Sequence, residues 1–125
     1  MIVADTSTWI AFLTGGSGDD VALLDQALAD KKTLMAPVVL AELLSDPTLL
    51  PQVAQRLIAV PTAEVEPGYW ERVGALRAKV LAQKRKARLG DALIAQTCID
   101  GGLALLTRDR DFRAFAEFAG LKLAI

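Results

Sequence analysis

Residues 103–109 read Leu-Ala-Leu-Leu-Thr-Arg-Asp, and this segment decides the fold class. Its first four residues are all apolar, which is typical of a strand that is buried on both faces of a parallel sheet. A helical pattern closed by Gly101 and Gly102 precedes it, and another helical pattern follows at residues 109–118. A buried strand between two helices is the repeating unit of a parallel α/β sheet.

The same alternation extends along the rest of the chain. Further strands are predicted at residues 2–4, 33–36 and 121–125, and a weaker strand near residues 58–65, where Pro61 interrupts the pattern. Helices are predicted at residues 6–13, from Asp19 or Asp20 to 32, 37–44, 47–57 after an Asp46 cap, 67–83 and 90–101. The prediction is one domain over residues 1–125, a three-layer α/β/α fold around a mostly parallel sheet of four to five strands.

The composition describes a folded chain whose charges nearly cancel. Hydrophobic residues make up 53% of the sequence, and 14 Lys and Arg residues stand against 15 Asp and Glu residues, which argues against nonspecific coating of nucleic acid. No apolar run approaches the ~20 residues of a membrane span, and the first residues do not follow a signal-peptide pattern. The single cysteine, Cys98, cannot form an internal disulfide. We therefore expect a cytoplasmic protein without a membrane partner.

The sequence contains no histidine. This absence excludes Ser-His-Asp and Cys-His nucleophile pairs, the HExxH zinc site and the histidine acid–base pairs of metal-free nucleases. One cysteine is also too few for a cysteine-rich zinc site. The chemical groups that remain are carboxylates, Lys, Arg, hydroxyl groups and a bound metal ion.

Four acidic residues are the candidate catalytic and metal-binding residues: Asp5, Glu42, Asp91 and Asp109. Asp5 and Asp109 each follow a buried strand, so both lie at the edge where the carboxyl ends of parallel strands meet. Glu42 and Asp91 each share a helical face with apolar residues, which favours a position facing the protein. Each residue also has an ordinary alternative role. The three aspartates suit helix N-caps, and Glu42 suits a solvent-exposed position.

Carboxylates that gather at one edge repel one another. Two unit charges ~4 Å apart cost about 4 kcal/mol even at an effective dielectric constant of 20. Such a cluster therefore shares protons or binds a divalent cation. Oxygen ligands without His or Cys favour Mg²⁺ or Mn²⁺ over zinc, and Mg²⁺ commonly completes its shell with phosphate oxygens. This combination indicates phosphoryl chemistry.

Four separated motifs carry a family resemblance. They are Ile-Val-Ala-Asp-Thr-Ser at residues 2–7, Ala-Glu-Leu at 41–43, Gly-Asp-Ala-Leu-Ile-Ala at 90–95 and Leu-Leu-Thr-Arg-Asp-Arg-Asp-Phe at 105–112. In this order they resemble the PIN-domain family, and in particular the VapC toxins of bacterial toxin–antitoxin pairs. The resemblance spans essentially the whole chain.

The resemblance implies a Mg²⁺- or Mn²⁺-dependent endoribonuclease that hydrolyses RNA such as tRNA, rRNA or mRNA. It implies that Asp5, Glu42, Asp91 and Asp109 form the acidic site, and Asp111 competes with Asp109 for the fourth position. Thr6, Ser7 and Thr107 match hydroxyl residues that support such a site. The resemblance also implies a homodimer and inhibition by a cognate VapB-type antitoxin.

Cations near the acidic residues are candidate RNA contacts. They are Lys84, Arg85, Lys86 and Arg88, which precede Asp91, and Arg108 and Arg110, which flank Asp109. Contacts to phosphate would make RNA affinity depend on salt. The alternative for the first cluster is a solvated helix end.

One function of another class remains open, a catalytically silent PIN-like module that binds RNA or protein. Two enzyme alternatives lack their motifs. A dehalogenase-type phosphatase needs an acidic residue where Ser7 stands, and Gly15 to Gly18 is not followed by the Gly-Lys-Ser/Thr of a P-loop.

Overall fold

The computed structural model describes residues 1–125 as four short strands and seven helices. The strands are β1 (Ile2–Ala4), β2 (Thr33–Leu34), β3 (Ala104–Leu106) and β4 (Lys122–Leu123). The helices are α1 (Thr6–Leu13), α2 (Asp19–Ala29), α3 (Pro37–Leu44), α4 (Pro51–Ala59), α5 (Tyr69–Ala82), α6 (Leu89–Gly101) and α7 (Phe112–Ala119). None of the helices is both long and apolar enough to cross a lipid bilayer.

The four strands form one parallel sheet in the order β2-β1-β3-β4. Val3 pairs with Leu34 on one side and with Leu105 on the other, so β1 and β3 are the two central strands. Every strand-to-strand connection passes through at least one helix, as parallel pairing requires. The predicted three-layer α/β/α fold is confirmed.

The core is built on the two central strands. Val3, Ala4, Leu105 and Leu106 are at most 1% exposed, because helices cover both faces of the central strands. The helix α6 adds further buried positions along its length, so Asp91 at its start is attached to a rigid element. The core therefore fixes the ends of β1, β3 and α6 relative to one another.

The weak strand near residues 58–65 does not form as a strand. The segment makes a single parallel bridge between Met35 and Thr62, in which the Met35 N–H donates to the Pro61 carbonyl and the Ala63 N–H donates to the Met35 carbonyl. Proline has no N–H to continue a ladder. The sheet consequently has four strands, at the lower end of the predicted number.

The predicted helix over residues 47–57 is wrong at its start. The helix α4 begins at Pro51, where the fixed φ of proline suits the first helical position. Asp46 instead caps a turn, because its Oδ1 accepts hydrogen bonds from the Thr48 backbone N–H and hydroxyl at 2.9 and 2.7 Å. Two dipeptides that end in proline, Asp46-Pro47 and Leu50-Pro51, lie close together here. The sequence pattern favoured the first of them as the start of the helix.

The loops after β1 and β3 lie side by side. The Asp5 N–H donates to the carbonyl of Leu106 at 2.9 Å, which extends the pairing of the two strands by one residue. After Asp5 the chain enters α1, and after Leu106 it enters the loop that leads to α7. Residues that follow the two central strands therefore meet at one edge of the sheet, as expected for this topology.

Candidate metal centre

The Asp5 carboxylate is held at the carboxyl end of β1 by three hydrogen bonds. Its Oδ1 accepts from the Ser7 hydroxyl at 2.6 Å and from the Thr8 backbone N–H at 3.1 Å. Its Oδ2 accepts from the Thr107 hydroxyl at 2.6 Å. Asp5 is thus the N-cap of α1, the ordinary role considered from the sequence, and it also contacts the loop after β3. The side chain is almost fully buried.

The loop from Thr107 to Asp111 is ordered by its own side chains. The Asp109 N–H donates to the Thr107 hydroxyl at 2.9 Å, and the Asp111 N–H donates to Asp109 Oδ1 at 2.9 Å. The Arg108 N–H donates to the Ser7 hydroxyl at 3.1 Å. Each of these bonds fixes the loop backbone relative to a carboxylate or to a residue that contacts Asp5.

Three carboxylates face one another beside Asp5. One oxygen each of Asp91, Asp109 and Asp111 lies within 4.8 Å of the other two, and all three residues are partly buried. Burial, followed by the charge of Asp109, raises the pKa of Asp91 to about 6, while the charge of Arg88 opposes this. The charges of Asp111 and Asp5 raise the pKa of Asp91 further. Asp5 and Asp91 therefore share one electrostatic environment.

The donor set fits a hard divalent cation. Two oxygens that bind one Mg²⁺ at about 2.1 Å lie at most about 4.2 Å apart, so the observed spacing needs only a small side-chain adjustment. All three groups are carboxylates, which Mg²⁺ and Mn²⁺ accept and which are uncommon as the only ligands of zinc. Burial is the main cause of the raised pKa of Asp91, and the charge of Asp109 adds to it, so a charge at this position is unfavourable without a cation.

Asp109 and Asp111 both belong to this group, although the sequence presented them as alternatives for one position. Asp111 additionally pairs with a cation, since its Oδ2 lies 3.4 Å from Lys86 Nζ. The Asp111 N–H donates to Asp109, and one oxygen of each of these two carboxylates lies within 4.8 Å of Asp91. Sequence spacing alone could not predict this arrangement.

Glu42 is not one of the three clustered carboxylates. It is exposed on α3 and lines a hollow with apolar residues of α1, among them Ile10 and Leu13. Its position on the helix is the solvent-facing one considered from the sequence. The catalytic role implied for Glu42 by the resemblance stays a prediction.

Two of the three hydroxyl residues implied by the resemblance contact Asp5 directly. Ser7 and Thr107 each donate a hydrogen bond to its carboxylate. The Thr6 hydroxyl is buried and has no hydrogen-bond partner. Ser7 and Thr107 therefore orient Asp5, and Thr6 does not.

The six candidate RNA-binding cations fall into two groups. Arg85, Lys86 and Arg108 form ion pairs with Glu117, Asp111 and Asp20 respectively. Lys84, Arg88 and Arg110 are exposed and form no ion pair. These three side chains are not engaged in an ion pair and can contact a polyanion.

Asp20 is the residue near the site that sequence reasoning missed. It was considered only as an N-cap of α2, but Gly18 occupies that position. Asp20 is 5% exposed and binds the Arg108 guanidinium. The signal was present in the pair Asp19-Asp20, since one helix needs only one capping aspartate.

Comparisons with known proteins identify the family and the fold. The family profile of the PIN domain matches residues 2–118. The crystal structure of FitAcB from Neisseria gonorrhoeae has a TM-score of 0.74 and 22% sequence identity, over 98% of this chain and 96% of that chain. VapBC-5 from Mycobacterium tuberculosis, a member of the VapBC family of toxin–antitoxin systems, has a TM-score of 0.65 and 24% identity, over 98% and 95%. At this identity the two structures share the fold with the present chain.

Proposed function

The chain belongs to the PIN domain family, and on that premise we propose that it is a Mg²⁺- or Mn²⁺-dependent endoribonuclease and the toxin of a VapBC-type toxin–antitoxin pair. The observation that carries the proposal is the group formed by Asp91, Asp109 and Asp111, with Asp5 close enough to influence it. Carboxylates held this close without a compensating cation are costly. A site that binds a divalent ion compensates that cost.

Asp5, Asp91 and Asp109 are proposed as the metal-binding residues, with Asp111 beside them. A divalent ion bound there would lower the pKa of a water molecule and neutralise charge on a phosphate. Ser7 and Thr107 hold the Asp5 carboxylate in its orientation by donating hydrogen bonds to it. Glu42 is retained as an outer acidic residue on the strength of the family resemblance.

The proposed reaction is hydrolysis of an RNA phosphodiester bond. The oxygen of water forms a bond to phosphorus, the bond from phosphorus to the 3′ oxygen breaks, and the 3′ oxygen takes up a proton. The products carry 5′-phosphate and 3′-hydroxyl ends. The exposed cations Lys84, Arg88 and Arg110 are proposed to hold the RNA backbone.

The toxin role is supported by the family and by similarity to VapBC-5, which belongs to a toxin–antitoxin family. An antitoxin that binds this chain would silence the nuclease by covering the acidic site. We also propose a homodimer in the cytoplasm, following the family resemblance. Light scattering of the purified chain measures its oligomeric state directly.

A second candidate function is a silent PIN-like module that binds RNA or protein without cutting it. The exposed position of Glu42 favours it, because this acidic side chain faces solvent on α3 and is not one of the three clustered carboxylates. The two functions differ in one measurable property, which is cleavage of RNA. The nuclease cleaves RNA and stops when the metal is removed or Asp5 is replaced, whereas the silent module does not cleave RNA under any of these conditions.

The test is cleavage of total RNA by the purified protein with Mn²⁺ or Mg²⁺, with EDTA, and with Asp5→Ala. The matched control is Asp25→Ala, because Asp25 is an exposed aspartate of α2 without an ion pair. We expect cleavage by the wild type and Asp25→Ala with metal, and none with EDTA or Asp5→Ala. Equal cleavage by Asp5→Ala, or RNA binding without any cleavage, would overturn the nuclease proposal.

The toxin proposal has its own test. Induction of the wild-type chain in a bacterial host should stop growth, and Asp5→Ala should not. Co-expression of the small protein encoded next to the gene should restore growth and co-purify with the chain. Normal growth on induction of an active wild-type protein would contradict the toxin role and leave the nuclease proposal intact.

A further inference from the structure

Asp20 and Arg108 form an ion pair beside the acidic site. Asp20 lies in the first turn of α2, and Arg108 lies between Thr107 and Asp109 in the loop after β3. Arg108 Nε donates to Asp20 Oδ2 at 2.7 Å, and Nη2 donates to Oδ1 at 3.1 Å. The hydroxyl of the fully buried Thr8 also donates a hydrogen bond to Asp20 Oδ2, at 2.9 Å. The ion pair is therefore bidentate, and a buried side chain contacts the carboxylate from the protein interior.

The backbone around the ion pair is shaped to hold it. Gly18 has a φ of +137°, and a Cβ at this position would lie 2.8 Å from Asp20 Oδ1 and 2.9 Å from Arg108 Nη2. The same Nη2 also donates to the carbonyl of Ser17. A side chain at residue 18 would displace the guanidinium, so the turn before α2 depends on glycine for a contact with a residue 90 positions away.

The backbone of Arg108 belongs to the loop that carries the acidic site. Its N–H donates to the Ser7 hydroxyl, which donates to Asp5. The residues on either side, Thr107 and Asp109, are joined by the hydrogen bond from the Asp109 N–H to the Thr107 hydroxyl. All these hydrogen bonds join residues of the acidic site to one another. The Arg108 side chain, in contrast, joins the loop to α2.

Two roles for Arg108 follow from its place. An arginine beside a nuclease site is a natural contact for RNA phosphate, as the sequence predicted. In the structure, however, the Asp20 carboxylate accepts hydrogen bonds from Arg108 Nε and Nη2 and compensates the charge of the guanidinium. Because a bidentate arginine pair fixes orientation as well as distance, the geometry favours an anchoring role.

We propose that Asp20 and Arg108 are positioning residues that clamp the loop from Thr107 to Asp111 to α2, so that Asp109 and Asp111 stay facing Asp91. This inference rests on the proposed function of the acidic site. It assigns Arg108 to the support of the carboxylates and leaves the RNA contacts to the unpaired cations.

The chain contains a matched control pair far from the acidic loop. Arg72 of α5 binds Asp100 of α6 in the same bidentate manner, at 3.0 and 2.6 Å. In both pairs the arginine side chain is 39% exposed, and the aspartates are 7% and 12% exposed. The test variants are Asp20→Asn and Arg108→Lys, and the control is Asp100→Asn. Arg108→Lys keeps the positive charge that RNA would need and removes the fork.

The first measurement is amide hydrogen exchange of the metal-free protein. The amides of Asp109 and Asp111 report the loop, because each is bonded only to a side chain of that loop. We expect about tenfold faster exchange at both amides in Asp20→Asn and Arg108→Lys, with wild-type rates there in Asp100→Asn. If Asp20→Asn is too unstable to purify, Arg108→Lys provides the result.

The second measurement compares two affinities of each variant: the affinity for Mn²⁺, measured by calorimetry, and the affinity for RNA in the absence of metal. We expect both test variants to bind Mn²⁺ about tenfold or more weakly and to bind RNA as the wild type does. The clamp would be overturned if Arg108→Lys showed the hydrogen-exchange rates and the Mn²⁺ affinity of the wild type. It would also be overturned if Asp20→Asn bound RNA more weakly but kept its Mn²⁺ affinity. Absence of RNA cleavage by the wild type would defeat the proposed function only, since neither measurement requires cleavage.

Discussion

The Thr107 hydroxyl donates a 2.6 Å hydrogen bond to Asp5 Oδ2, although 102 positions separate the two residues in the chain. The same hydroxyl accepts the Asp109 N–H. One side chain thus joins the end of β1 to the loop after β3. This hydrogen bond explains how the Asp5 carboxylate, near the start of the chain, is held against a loop near its end.

Replacing Thr107 with valine should weaken the site without changing its shape. Thr107→Val leaves the Asp5 carboxylate and the Asp109 N–H without a shared partner, so we expect RNA cleavage and Mn²⁺ affinity to fall about 10- to 100-fold. The free energy of unfolding should fall by about 1–2 kcal/mol. Thr107→Ser retains the hydroxyl and should remain near wild type. Equal activity of the valine and serine variants would remove the orienting role of this hydrogen bond.

Asp91→Asn should stabilise the metal-free protein. Burial and neighbouring carboxylates raise the pKa of Asp91 to about 6 from an ordinary value of 3.8, so its charge opposes folding at neutral pH. We expect the variant to gain about 1–2 kcal/mol at pH 7, below the full linkage value because the group is partly exposed. Urea unfolding in EDTA measures this difference.

The pH dependence of the same variant has a definite sign. Between pH 3.8 and about 6 the folded wild type binds more protons at Asp91 than the unfolded chain does, so this group's contribution to stability falls as the pH rises. The advantage of Asp91→Asn should therefore grow from pH 4 to pH 7. Adding Mn²⁺ should raise the melting temperature of the wild type and not that of the variant. A variant less stable than the wild type in EDTA would contradict the repulsion described above.

Asp100→Asn should show the opposite pH dependence. The hydrogen bonds from Arg72 hold the pKa of Asp100 below its ordinary value of 3.8. The pair therefore contributes stability above that value, and the contribution is lost as the pH falls through the lowered pKa. We expect a loss of about 1–2 kcal/mol at pH 7, allowing for the exposed arginine, and a smaller difference near pH 3. A difference that is constant between pH 7 and pH 3 would exclude ionisation of Asp100 as the cause.

The unpaired cations should dominate RNA binding. Lys84→Ala, Arg88→Ala and Arg110→Ala should each weaken RNA affinity and lower the slope of log affinity against log salt by about 1. Arg85→Ala is the comparison, because Arg85 is already paired with Glu117 at 3.1 Å. Filter binding at several salt concentrations measures both quantities. An equal loss in Arg85→Ala would show that ion pairing in the free protein does not select the RNA contacts.

The fold and the edge that carries the site follow from sequence because both depend on strong local signals. The apolar run at residues 103–106 and the glycines that close α6 determine a buried parallel strand. Asp5 and Thr107 then reach the same edge by topology alone. No knowledge of side-chain orientation is needed for that step.

The details that sequence did not predict depend on local competition. Asp46 and Leu50 both precede a proline, and only the fold decides that Pro51 begins α4. Asp109 and Asp111 both belong to the carboxylate group, and the Asp111 N–H donates a hydrogen bond to the Asp109 carboxylate. The buried Asp20 is paired with Arg108, which is 88 positions away in the chain. These outcomes depend on tertiary contacts that no periodicity records.

The central claim is that these carboxylates support attack by water on an RNA phosphodiester. The most direct measurement is the chemistry of the ends that the purified protein produces on RNA in the presence of Mn²⁺. Ligation-based sequencing, with and without phosphatase or kinase treatment, distinguishes the end groups. The account predicts 5′-phosphate and 3′-hydroxyl ends that disappear in Asp5→Ala. Ends carrying 2′,3′-cyclic phosphate and 5′-hydroxyl would contradict it, since they would show attack by the ribose 2′-hydroxyl.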